Sequence, residues 1–407
     1  TNNSSTTTPP TPTSTTSTSA VPSVARVVVN GYLVRYPLGG EISNVLQWVL
    51  GLAHAGHDVY LFEQWGWHDS CFDPIRNVMS DDSSYGVSVM ADTLAAHDLG
   101  SRWCYVDASG AYHGMDRTRA EEICRSCDVF LDRVWDGAWL DEVSRGVGRR
   151  VLVELEPGWT QMKMITRQRA GETLPTYDDH VTCGLEVGSP TCRVPTLGLD
   201  WITVNQVACT DLTDPPPLPA DDAAFTTVMN WQSHEPLDFE GSSYGQKDRE
   251  FPHFADLPSR VDAPLEVAVA GDNAPRADLE SAGWRLRSAH EVTADLESYR
   301  DYVAASRGEF AVAKHVFVAT RSGWFSDRSA LYLANARPVV LQDTGFGDHL
   351  PTGLGLMAVS SIDEAAAAID EIEANYARHS AAAREIAVEH LDASKVLDGL
   401  LDRLGGS

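Results

Sequence analysis

With 407 residues and 43% hydrophobic content, the chain has the length for two cores of ordinary size and the composition of a globular protein. No run approaches the ~18 apolar residues of a membrane span. A formal charge of −27 argues against nucleic acid as a partner, because that binding rests on clustered Lys and Arg; an anionic ligand of any other kind needs a basic pocket inside an acidic protein.

Residues 1–23 are Ser/Thr/Pro-rich and read as a disordered tail, with no apolar stretch to make a signal peptide or a span. Order is expected from Arg26–Asn30, a buried-strand pattern. A loop with Gly39-Gly40 follows, then a helix with Val45, Leu46, Val49 and Leu52 on its apolar side, then the strand Asp58–Phe62. That β-loop-α-β unit implies parallel strands, and Gly39-Gly40 falls at a carboxyl end, where open α/β sheets bind ligands. Further strands are expected at 103–106, 129–131 and 150–154, with helices at Arg117–Cys127 and ending over Asp141–Arg145. The strand at 150–154 opens into a loop with Glu156, and polar residues including Asp178 and His180 follow. Seven cysteines show no framework spacing; Cys124 and Cys127 make a lone CxxC that reads as reduced packing residues and not as a zinc site. No metal or cofactor is expected, and reduced cysteines favour the cytoplasm.

The proline-rich stretch 214–220 is a stiff connector and the best domain boundary, dividing 24–213 from 221–385. A second alternating series follows: strands from Phe225 and Leu265, a short one near Arg285, a helix over Tyr299–Ser306 and a strand at His315–Ala319. Thr320–Phe346 then reads as a loop, a helix, a buried strand and a glycine loop. Ser322-Gly323 allows a tight turn or close approach to a ligand, and Ser326 or Asp327 suits the helix start. Arg328 stands in the first helical turn, where the dipole favours an anion, an arrangement that a phosphate between the guanidinium and the backbone would relieve. Acidic, alanine-rich helices are expected at Asp363–Ile372 and Ala381–Leu401.

Gly39-Gly40 with Ala55-Gly56-His57-Asp58-Val59 resembles the first βαβ unit of the GT-B glycosyltransferase superfamily. Ser322–Ser329, Ala334–Val340 and Asp343-Thr344-Gly345-Phe346 resemble its donor-binding helix, strand and loop. The resemblance implies two Rossmann-like domains facing across a cleft, with a C-terminal helix (386–407) returning to the first. It further implies transfer of a sugar from a nucleotide-sugar donor to a small-molecule or glycan acceptor without a metal. Lys247, in Tyr244–Asp248, is similar in position to the basic residue that the retaining branch places on the diphosphate; Lys314 is the alternative. The paired glutamates of that branch are absent, since Arg321-Ser322 and Ser329-Ala330-Leu331 occupy their region. The diphosphate group expected is Gly40, Lys247, Ser326, Arg328 and the Thr344-Gly345 backbone, with Asp343 on a sugar or ribose hydroxyl. His180, Glu156 and Asp178 are the candidate bases, His180 first because its proton affinity suits neutral pH. A nucleotide-sugar epimerase and a non-catalytic two-domain binding protein are the competing readings.

Overall fold

The computed structural model describes residues 21–135, 146–212 and 214–404. The expected tail lies outside them apart from its last three residues, and the helix end at 141–145 lies outside them entirely. Two sheets organise the chain. The first runs, edge to edge, Trp201–Thr203, Asp179–Thr182, Arg149–Glu154, Val129–Asp132, Arg26–Asn30, Asp58–Gln64, Trp103–Val106 and Tyr112–His113. All neighbours are parallel except the last pair. The second runs Arg285–Ser288, Leu265–Ala270, Phe225–Asn230, Gly308–Ala311, Val339–Gln342 and Leu356–Val359, parallel throughout.

Side chains alternate across each sheet, so each builds a core on both faces. Val27 and Val29 pack with Leu46 and Leu52 of the helix Gly39–His54, whereas Val28 faces Ile123 and Cys124 of Arg117–Arg125. In the second sheet Val340 and Val339 divide in the same way. All seven cysteines are free, and no helix among the described residues is long and apolar enough to cross a membrane.

Two expected elements differ. His315–Ala319 is not a strand: His315–Thr320 is a helix that buries Val316 and Phe317. A short β-branched and aromatic run fits either state by pattern, and Gly308–Ala311 already fills the strand position beside it. The expected helix Ala381–Leu401 is two, Tyr376–His390 and Ala393–Arg403; Asp392 divides them and caps the second by accepting from Lys395 N at 3.2 Å. That second helix buries Leu397, Leu400 and Leu401 in the core of the first sheet.

Candidate active site between the two sheets

The carboxyl ends of both sheets border one cavity of about 550 Å³. The first sheet supplies Arg133, just past Val129–Asp132, and Glu154 and Glu156 at the end of Arg149–Glu154. Helix Gly39–His54 adds Glu41 and Asn44, and Trp159–Arg169 adds Trp159 and Lys163. The second sheet supplies Asn230, His234, Gln246, Lys247, Lys314 and the helix start Ser326-Asp327-Arg328. The walls meet directly: Asn44 donates to Asp327 at 3.0 Å, Trp159 stacks on His234 at 5.3 Å, and Lys314 pairs with Glu156.

Of the expected site residues, Glu156, Lys247, its alternative Lys314, Ser326, Asp327 and Arg328 border this cavity; the others do not. Ser322-Gly323 approaches the first half of the protein instead of a ligand. The Ser322 and Gly323 carbonyls accept from Glu186 N at 3.1 Å and Leu185 N at 3.3 Å. Gly323 has φ +74°, and a Cβ there would strike Glu186 N. Gly39 is likewise a packing glycine, its missing Cβ leaving room for the Asp295 carbonyl and Tyr299; Gly40 only grazes the Tyr299 ring.

The loop Asp343–Phe346 lies behind the cavity. Asp343 accepts from Gly345 N at 2.9 Å, the Thr344 carbonyl accepts from Gly323 N at 2.7 Å, and Gly345 packs on Glu186 and Arg321. Phe346 is fully buried against Phe325. Among the expected bases, Asp178 accepts from Arg150 N at 2.8 Å, at the amino end of its strand and so on the wrong side of the sheet. His180 lines a separate pocket of about 290 Å³ with Tyr177, Met164 and Leu199. Its strand runs Asp179–Thr182, so the side chain leaves the sheet before the carboxyl edge.

Arg328 borders the cavity, but its charge is already compensated. It pairs with the fully buried Glu309 and donates to the Val228 carbonyl at 2.7 Å, leaving Nη2 as its unpaired donor. A protein carboxylate therefore relieves the arginine where a phosphate was expected. Asp327 occupies the anion-favouring helix start.

Lys247 differs. It is buried, and no carboxylate lies within 4 Å of its ammonium among the described residues. Burial first, then the positive charge of Arg328, lowers its pKa well below the ordinary lysine value. Beside it, the side-chain N and O of buried Gln246 have no partner among the described residues. Glu154 and Glu41 are both pushed up to about 7 by loss of hydration, Glu41 also by Asp327. Glu154 is buried behind Thr182 Oγ1, 2.7 Å away, whereas Glu41 is exposed on the cavity wall. Glu156, surrounded by Lys314, His234 and Lys163, is lowered by those charges in spite of its burial.

Sequence reasoning missed Glu41, Arg133, Glu154 and Lys163. One signal was available. The chain has only four lysines, and Lys163, Lys247 and Lys314 all line this cavity.

No protein-family model matches the sequence, and no curated protein matches it. Solved structures do resemble it. An alpha-glucosyltransferase in complex with UDP and a DNA 13-mer aligns over 94% of this chain and 99% of its own, with a TM-score of 0.57 at 9% identity. HepE from Anabaena, in complex with UDP and glucose, aligns over 94% and 100%, with a TM-score of 0.54 at 10% identity. Sucrose-phosphate synthase from Thermosynechococcus elongatus aligns over 93% and 99%, with a TM-score of 0.52 at 12% identity. The chain has the GT-B fold that these glycosyltransferases share.

Proposed function

We propose that this protein is a glycosyltransferase that takes a sugar from a nucleoside-diphosphate sugar held against the second sheet. The observation that carries this reading is Lys247: a buried lysine with no carboxylate within 4 Å among the described residues, in the cleft of a GT-B fold, is costly to hold as a cation until an anion arrives. The diphosphate of the donor is such an anion. Charge develops on it as the glycosidic bond breaks, and Lys247 is the unpaired group that stabilises it in place of a metal ion, with Lys314 and Arg328 Nη2, already paired to Glu156 and Glu309, adding hydrogen-bond donors. Gln246 supplies the neutral hydrogen-bonding group beside them. UDP in the alpha-glucosyltransferase and HepE structures supports a nucleotide ligand for this fold.

Glu41 takes the proton of the acceptor hydroxyl. It opens onto the cavity from the opposite wall, and a carboxylate raised to about 7 is a stronger base than an ordinary one. Glu156 is less suited, because Lys314 holds it in an ion pair. The net charge of −27 favours a small or glycan acceptor over a nucleic acid.

The test is a thermal shift with UDP, GDP, TDP and ADP on the wild type and on Lys247→Met. At least one nucleotide should stabilise the wild type, with Lys247→Met weakening its binding about 10- to 100-fold, the loss of one charge-assisted bond. No stabilisation by any of the four removes the reading. With donor present, nucleoside diphosphate release only on addition of an acceptor supports transfer, and sugar interconversion without acceptor replaces it with epimerisation.

A further inference from the structure

We propose that the acceptor of this transferase carries an anionic group, a phosphate monoester or a carboxylate, and that Arg133 anchors it; this rests on the transferase reading above. Arg133 lies on the first-sheet wall, across the cavity from Lys247, and is only 8% exposed. It makes one side-chain hydrogen bond, from Nη2 to Asn44 Oδ1, and its guanidinium sits 5.0 Å from the Trp48 ring. Its Nε is buried and has no partner among the described residues. No carboxylate lies within 4 Å of it among the described residues; Glu41 and Asp327 act on it from farther away.

The guanidinium is thus held in place by an amide and an indole with part of its donor fork unused. That is how a protein prepares a planar cation for an oxyanion. Lys163 adds charge to the same wall. It is half-buried, sits over Trp159 at 5.2 Å and has no ion pair among the described residues. The donor diphosphate already has Lys247 and Lys314 on the opposite wall. A neutral acceptor would leave Arg133 and Lys163 inside a filled cleft with water displaced and nothing gained in exchange. An anionic acceptor turns both into binding groups.

The test uses full-length protein saturated with whichever nucleoside diphosphate it binds, titrated calorimetrically with inorganic phosphate and separately with acetate. One of the two should bind, identifying the phosphate or the carboxylate source, and Arg133→Met should weaken it about tenfold or more, as expected for one charge-assisted bond. Arg133→Lys keeps the charge, guards against a folding defect and should bind more weakly than wild type but more tightly than Arg133→Met, because the charge stays while the planar fork is lost. If neither ion binds the nucleotide-saturated wild type, or if Arg133→Met binds it equally well, the proposal is overturned while the transferase reading stands. If no nucleoside diphosphate binds at all, both fall.

Discussion

Ser322-Gly323 and Ser326-Asp327-Arg328 are neighbours on one connection, and either fits a ligand cradle in sequence. In the folded protein the first faces inward on the protein itself, its carbonyls taken by Glu186 N and Leu185 N, while the second reaches the cavity. Even there, Arg328 is bound to Glu309, whereas Lys247 on the same wall has no ion pair among the described residues. The difference separates two properties that residue type alone merges: being near a ligand site and having charge free to offer it.

The largest effect tests the Arg328–Glu309 pair. Arg328→Ala leaves a fully buried carboxylate uncompensated and should cost about 3–5 kcal/mol of stability in denaturant unfolding. A stable variant that loses only nucleotide affinity would return Arg328 to the role of a dedicated phosphate ligand. Next is Gly323→Ala, which forces a side chain into a left-handed backbone and against Glu186 N. A loss of about 2–4 kcal/mol is expected, without a change in nucleotide affinity beyond what that instability causes.

Lys247→Met should do the reverse, raising the stability of the ligand-free protein by about 1 kcal/mol while weakening nucleotide binding. Its pH signature follows from the sign of the shift. Burial lowers the lysine in the folded state below its ordinary 10.5, so in that window the unfolded chain holds more protons. The ligand-free protein should therefore gain stability as pH rises toward 10.5, and the methionine variant should lack that gain. The smallest effect is that of His180→Ala. Its pocket is separate from the cavity, so kcat and KM should change by less than about twofold, with at most ~1 kcal/mol of stability lost. A large fall in kcat would return it to the list of bases.

Much of the architecture was legible because local pattern and fold agree. Arg26–Asn30, Asp58–Phe62 and Val339–Leu341 are apolar runs of strand length, bounded by glycine or proline, and each is a central parallel strand. Residues bordering the cavity were legible only where chemistry and position coincide in a short stretch, as at Lys247 and Glu156. Arg133 is unremarkable beside Asp132; it becomes a wall of the cavity because Val129–Asp132 pairs with a strand a hundred residues earlier. Glu41 was hidden by the glycines before it, which drew the functional reading, although Gly39 packs against Asp295 and Tyr299 and neither borders the cavity. Gly323 misled for a related reason, since a glycine announces close approach without saying to what.

The helix Ala393–Arg403 carries a further consequence, for synthesis. Leu397, Leu400 and Leu401 fill the core against Leu46 and Val49, residues made some 350 positions earlier. A nascent chain that has emerged only through its first sheet must keep that apolar groove uncovered while the whole second sheet is translated. The amino-terminal half is therefore the last to be completed, and its exposed seam is where chaperones would be needed most.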